Sequence, residues 1–322
     1  MHTRATMRRI GAALVGLLAA AAVSAVAGCA NGESHAAGAS GPLRVGYQRY
    51  GSESLVKARN AGGDAAWSLF ESGPALTEAL KAGAIDIGET GEAPPVFAAA
   101  AKADFKVIAT SAPVPRGEAV LVHDSSGFTS FADLKGRTIA LNKGSNVHWL
   151  LVRLLAANHL SLSDVNIKYL KPAEGRAAFD NGQVDAWIIW DPYFALAEQP
   201  GVKVLVDATG LAGNREYILA SPEALRTKPD KIRQFLVTLR QTTDWGIANP
   251  DERARVLAPE LKIDESVAKR SLDRSAKALT PVTPDIAAEL QDIADGFTGL
   301  KLIPGKVDMK GRIDDRYTAV LR

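Results

Sequence analysis

The chain has 322 residues, 47% of them hydrophobic, with 38 basic and 36 acidic side chains and a net charge of +2. That length and apolar content give one large or two medium globular domains, and the near-balanced charge argues against nucleic acid as a partner. A single cysteine, Cys29, excludes a disulfide within the chain, a cysteine-based metal site and, once committed at the N-terminus, a thiol nucleophile.

Arg4, Arg8 and Arg9 precede a charge-free run of 19 residues from Ile10 to Gly28, which ends Val26-Ala27-Gly28-Cys29. A basic segment, an apolar segment and small residues before a cut make an export signal. The small residues leading into cysteine resemble the lipobox of bacterial lipoproteins. The resemblance implies that residues 1–28 are removed and that Cys29 becomes a lipid-bearing N-terminus. A retained membrane anchor is the alternative, but a run this rich in Ala and Gly is a weak stop-transfer segment. Loss of residues 1–28 leaves 35 basic and 36 acidic side chains, a net charge of −1, on a body outside the cytoplasm. Residues 29–41 are small and polar and read as a flexible tether.

From there strands and helices alternate. "PLRVGYQ" is a strand, followed by a short helical stretch and the strand-like "AAWSLFES". "GPALTEALKAG" places Leu76, Ala79 and Leu80 on one helical face with Gly83 as the stop. "AIDIGETG", "APPVFAAAAKA" and "FKVIATS" continue as strand, helix and strand, and "EAVLVHD" is another strand. The rhythm then restarts with "FADLKGRTIALNKGS", the helix "HWLLVRLLAANHL", the strand "VNIKYL", the helix "PAEGRAAFDNG" and the strand "VDAWIIWDPY". "VKVLVDAT" and "REYILAS" follow, then helices to near the end, the last opened by Thr283-Pro284-Asp285 with a capping hydroxyl and a first-turn proline. Such alternation indicates parallel α/β sheets. Two successive units, with crossings at "AVLV" and "YILA", predict two lobes: residues 42–124 with 216–322, and residues 125–215.

In open parallel sheets ligands bind beyond the C-terminal ends of the strands. Four segments sit there: Gly46-Tyr47-Gln48, Thr90-Gly91-Glu92, Lys143-Gly144-Ser145-Asn146 and Trp190-Asp191-Pro192-Tyr193. The apolar run from His148 to Leu155 makes a buried helix, so Ser145 or Asn146 lies near its N-cap. Capping alone explains such residues, yet the same geometry aims backbone N–H groups at an anion. A catalytic serine is disfavoured, since neither a G-x-S-x-G elbow nor Ser-x-x-Lys is present. Trp187 and Trp190 stand three apart on a strand and so take opposite faces, one toward the core and the other free for the cleft. His148, in the first helical turn, either donates to a ligand or helps cap the helix. No histidine pair has zinc spacing, and no phosphate-binding glycine loop occurs, so no metal or cofactor is expected.

"IDIGETGEAPPVFAAAAKAD", "LNKGSNVH", "PAEGRAAFDNGQVDAWIIWDPY" and "TPVT" resemble the substrate-binding proteins of aliphatic sulfonate ABC importers, a group that belongs with the taurine- and nitrate-binding proteins. The similarity runs from about Leu43 to Leu302. It implies an α/β, two-lobe periplasmic-binding-protein fold of the two-crossover type (type II), each lobe a mainly parallel sheet flanked by helices. Ligand would be held between the lobes, with no catalytic residue. Carried over by position, the ligand-binding candidates are Gln48, Gly91, Glu92, Gly144, Ser145, Asn146, His148, Trp190 and Asp191. The chain departs from the family at Asn146 and Val147, where relatives often carry serines, and at Arg49 and Tyr50, where relatives tend to be smaller. The implied partners are an organosulfonate and the transmembrane permease, with the membrane reached through lipid on Cys29 and the protein acting as a monomer. Nitrate, bicarbonate or a thiamine-precursor pyrimidine are alternative ligands of the same fold, and a desulfinase-like enzyme is the alternative of another class.

Overall fold

A computed structural model describes residues 41–49 and 51–322. Cys29, the export signal, most of the tether and Tyr50 lie outside the described residues. The first sheet has six strands in the order β11-β4-β10-β3-β1-β2, with β1 at Arg44–Gln48, β2 at Ala66–Phe70, β3 at Ile87–Gly91, β4 at Lys106–Ser111, β10 at Glu216–Ala220 and β11 at Leu279–Thr280. The second has five in the order β7-β6-β8-β5-β9, with β5 at Glu118–His123, β6 at Thr138–Leu141, β7 at Asn166–Tyr169, β8 at Ala186–Trp190 and β9 at Val202–Asp207.

Each sheet is mixed, with β1–β2, β1–β3, β6–β7 and β6–β8 parallel and β4–β11 antiparallel, and each is threaded by one strand that arrives from the other lobe. β10 lies antiparallel between β3 and β4, and β5 lies antiparallel between β8 and β9. This corrects the expected lobe boundary after residue 124. "EAVLVH" is the first strand of the second lobe, and the chain leaves the first lobe between Ser111 and Glu118. The reason is burial: Glu118 to Val122 are all buried, so the strand needs a partner on each edge, and only the second sheet has that slot. A short apolar run does not reveal which sheet will take it. The chain re-enters the first sheet at β10, which begins at Glu216.

The helices of the first lobe are α1 (Ser52–Ala58), α2 (Gly73–Lys81) and α3 (Pro94–Ala100); those of the second are α4 (Asn146–Ala157), α5 (Pro172–Asp180) and α6 (Tyr193–Ala197). α2 buries Leu76 and Leu80, as its apolar spacing predicts. α4 is apolar nearly all round because it has two neighbours. Val147, Leu150, Leu151 and Leu154 pack on its own sheet, whereas Trp149 and Val152 join the core of the first lobe. Gly296 makes room for that contact, since a Cβ there would stand 2.7 Å from the Trp149 ring.

After β10 come α7 (Pro222–Thr227), α8 (Pro229–Ala248), α9 (Pro250–Leu261), α10 (Glu265–Arg274) and α11 (Pro284–Gly299). The Thr283 hydroxyl caps α11 by accepting from the Ile286 N–H at 3.3 Å, as the Thr-Pro-Asp signal predicts. α9 and α10 form a hairpin whose second helix reaches α6 of the opposite lobe. Among the described residues no helix is long and apolar enough to cross a membrane.

Candidate functional site

The C-terminal ends of β1, β3, β6 and β8 meet between the lobes around a cleft. Gln48, Gly91, Ser145, Asn146, Trp190 and Asp191 line it; Glu92, Gly144 and His148 do not. The starts of α2 and α4 also reach it, at Gly73 and at Ser145 and Asn146. Neither helix has a side-chain hydrogen bond from its N-cap residue, so the positive end of each is not neutralised there, although Pro74 supplies no N–H to the first turn of α2. α1 differs. The Glu89 carboxylate from β3 accepts from the N–H of Ser52, from its hydroxyl at 3.0 Å and from the N–H of Glu53 at 3.4 Å, so that helix end already holds an internal anion.

The "KGSN" turn has two layers. Gly144 adopts φ +74°, a left-handed conformation that glycine takes without penalty. Its N–H donates to His148 Nδ1 at 3.2 Å, which leaves the proton of the neutral ring on Nε2, facing the Tyr169 hydroxyl at 3.2 Å. Burial, helped by Lys143, holds the His148 pKa down to about 4, so the ring is neutral at pH 7. Both ring nitrogens are thus engaged. His148 braces the turn and packs against Phe97 and Phe297 of the first lobe, which corrects its expected place on the ligand. Gly144 is likewise corrected: a Cβ there would stand 3.3 Å from Phe97, so the close approach is to the other lobe. Gly144→Ala is expected to destabilise the protein by about 1–2 kcal/mol through the left-handed backbone. Urea denaturation measures this, and an unchanged midpoint would remove the role.

Ser145 is the N-cap residue by backbone, but its hydroxyl donates to the Asn142 carbonyl at 2.7 Å rather than capping the helix. Asn146 closes the gap between lobes. Its carboxamide lies over Gly91, where any Cβ would stand 2.0 Å from Asn146 Oδ1. Asn146 Nδ2 donates to Asn214 Oδ1 at 2.8 Å, and Asn214 Nδ2 donates to the Val114 carbonyl at 3.0 Å. One chain of amides therefore links α4 to both crossovers.

Trp187 is buried against Phe179, and Trp190 is half-buried in the cleft wall beside Tyr193, the split that strand alternation requires. Asp191 is only partly available. Its carboxylate receives Arg274 in a bidentate pair at 2.8 and 2.9 Å and the Ala195 N–H at 3.0 Å. Arg274 also donates to Glu198 at 2.9 Å, and Arg270 donates to Glu198 at 3.1 Å and to the Ala195 carbonyl at 2.8 Å. These contacts fasten α10 to α6 across the cleft mouth. Glu92 turns away from the cleft to accept from the Arg215 N–H at 3.2 Å, and burial pushes its pKa up to about 7.

Sequence reasoning missed the wall made by Leu257, Leu261 and Leu272 of the α9–α10 hairpin, and the polar residues Asn214, Glu216 and Lys277. A Gly-Asn turn before "REYILA" was the one local signal, for Asn214. The others come from elements read as ordinary C-terminal helices and a strand. Arg49 lines the cleft mouth.

The model of the NMT1/THI5-like family matches residues 70–253. The chain is similar to the solved alkanesulfonate-binding protein SsuA from Xanthomonas axonopodis pv. citri bound to MOPS, with 34% identity and a TM-score of 0.81 over 85% of this chain and 98% of that one. It is also similar to the periplasmic aliphatic sulphonate binding protein SsuA from Escherichia coli, with 37% identity and a TM-score of 0.76 over 85% and 92% of the two chains. The desulfurization enzyme DSZB shares the fold alone, at 16% identity and a TM-score of 0.64 over 86% of this chain and 97% of that one.

Proposed function

Because the chain belongs to the NMT1/THI5-like family, among its aliphatic sulfonate-binding proteins, we propose that it is the solute-binding protein of an ABC importer. It captures an aliphatic sulfonate between its lobes, outside the cytoplasm, and delivers it to the permease. The observation that carries this reading is the pair of uncapped helix ends, α2 from one lobe and α4 from the other, that open on one cleft with an apolar wall. Helix N-termini bind an oxyanion without a full opposing charge. Leu257, Leu261, Leu272 and Trp190 then take the organic tail. Nitrate and bicarbonate have no tail for that wall, and a neutral pyrimidine has no charge for the helix ends.

Capture without chemistry is supported by the commitments of the serine and the histidine at the start of α4. The Ser145 proton goes to the Asn142 carbonyl and His148 Nε2 faces Tyr169, so they form no nucleophile–base pair. Calorimetry against alkanesulfonates, nitrate, bicarbonate and pyrimidines tests the assignment, and tight binding of nitrate with none of a sulfonate refutes it. Trp190→Ala is expected to weaken long-chain sulfonates more than methanesulfonate, because it removes tail contact and spares the helix ends. Equal losses for both would place Trp190 outside the tail site.

The protein works as a monomer tethered by lipid on Cys29. Cys29→Ser is expected to leave an unprocessed precursor or to release the protein from membranes. Normal processing and membrane retention in fractionated cells would exclude the lipid anchor.

A further inference from the structure

The two crossovers run side by side between the lobes. The Val114 N–H of the first donates to the Gly213 carbonyl of the second at 2.9 Å, and Asn214 Nδ2 donates back to the Val114 carbonyl at 3.0 Å. A glutamate follows each crossover directly. Glu118 opens β5 of the second sheet, and Glu216 opens β10 of the first, where Lys277 donates to it at 3.2 Å. A third, Glu92, follows β3 of the first lobe, with one oxygen on the Arg215 N–H and the other without a hydrogen-bond partner among the described residues. Glu118 is the extreme case. It is fully buried, and neither of its side-chain oxygens has a hydrogen-bond partner among the described residues.

Among the described residues, the charged groups that face Glu118 are Glu92 and Glu216, both acidic and both of the first lobe. The cations nearby are committed elsewhere. Lys277 pairs with Glu216, and the Arg215 guanidinium turns to Glu289 at 2.8 Å and to the Ser111 carbonyl at 2.9 Å. Arg116, two residues before Glu118, is exposed. On the strands beside β5, Asp191 is held by Arg274, and Asp207 accepts from the Thr209 N–H at 2.9 Å. Glu53 and Glu89, beyond Glu216 at the start of α1, add only negative charge. A buried carboxyl group with no donor and two acidic neighbours keeps its proton. That constraint depends on how the lobes sit, because the two opposing acids belong to the first lobe while Glu118 travels with the second sheet.

We propose that Glu118 is a proton switch for lobe closure: the closed arrangement takes up one proton from solvent on this carboxyl group, and opening releases it. This rests on the reading above, that ligand is captured between the lobes, and concerns the regulation of that site. A sulfonate is a strong acid and stays ionised, so the proton binds the protein and not the ligand. The closed state holds more protons than the open one, so closure and the affinity that depends on it weaken as pH rises. Other groups titrate lower. Burial pushes Glu92 and Glu216 up to about 7 and Asp191 to about 6, and holds His148 down to about 4, whereas Glu118 lies well above the usual carboxylate range. Ionisation of Glu92 and Glu216 only strengthens the hold of Glu118 on its proton.

The test is calorimetry of the full chain with butanesulfonate and small-angle scattering of the ligand-free protein, both between about pH 7.5 and pH 8.5. Calorimetry in buffers of different ionisation enthalpy is expected to count about one proton taken up per butanesulfonate bound, with Kd rising about tenfold per pH unit. The ligand-free radius is expected to grow over the same range. Glu118→Gln is expected to take up no proton and to keep both Kd and radius level, because an amide is neutral in either arrangement. If that variant does not fold, the proton count in the unaltered protein decides. Butanesulfonate bound without proton uptake, or uptake that survives Glu118→Gln, overturns the switch and leaves the sulfonate reading standing. Butanesulfonate that binds at no pH overturns the sulfonate reading, and the ligand-free radius then decides: one that stays constant overturns the switch as well.

Discussion

Arg274→Ala is expected to weaken sulfonate binding by about two orders of magnitude while leaving each lobe folded. Arg274 and Asp191 are 12% and 4% exposed, so the substitution strands a buried carboxylate. Breaking a buried pair from one side costs about 3–5 kcal/mol. It also removes a guanidinium held 3.8 Å from the Phe194 ring centroid, and with it the packing of α10 on α6. Most of that cost falls on the closed arrangement of the lobes, because both partners keep their own sheets without it. Small-angle scattering should show a larger radius for the variant, and calorimetry a higher Kd. Asp191→Asn in the same chain should recover part of the loss, since it takes away the stranded charge, and the double-mutant cycle isolates the pair. An unchanged Kd in Arg274→Ala would show that closure does not depend on this contact.

The second large effect is on stability against pH. Burial pushes Glu92 and Glu216 up to about 7 and holds Glu118 well above the usual carboxylate range, with the neighbouring carboxylates adding to the shift of Glu118. A raised carboxyl pKa means that the folded protein holds a proton that the unfolded chain has released. The resulting stability is fully present below the unfolded value of about 4.3 and is lost as pH rises through about 7. His148 acts the other way. Its folded pKa near 4 lies below the unfolded value of about 6.5, so protonation of the unfolded chain withdraws stability as pH falls through that window. Three carboxyl groups outweigh one histidine. The melting temperature is therefore expected to rise by roughly 5 °C from pH 8 to pH 6 and to keep rising, less steeply because His148 opposes it, until about pH 4.3. Glu118→Gln should raise it at pH 8 by about 3 °C and shrink the pH dependence, because an amide needs no proton to be neutral. A melting temperature that falls between pH 8 and pH 6 would refute this account.

The local sequence determined the elements and their ends. Alternating apolar segments make two α/β units, Thr283 and its proline start α11, and Trp187 and Trp190 part to opposite faces of β8. These follow from backbone geometry and side-chain period, which act over a few residues. The strand-end rule also brought Gln48, Gly91, Ser145, Asn146, Trp190 and Asp191 to one cleft.

Tertiary structure decided which groups stay available there. His148 and Gly144 face Phe97, and Glu92 faces Arg215, because the opposite lobe and the second crossover fill the space beside them. Asp191 meets Arg274, 83 residues away, and the apolar wall comes from a hairpin whose leucines look like any helix core. β5 joined the second sheet because only that sheet left both of its edges covered. Such pairings are set by what burial leaves unsatisfied across long chain separations. No window of sequence contains them, since each partner's local signal is complete without the other.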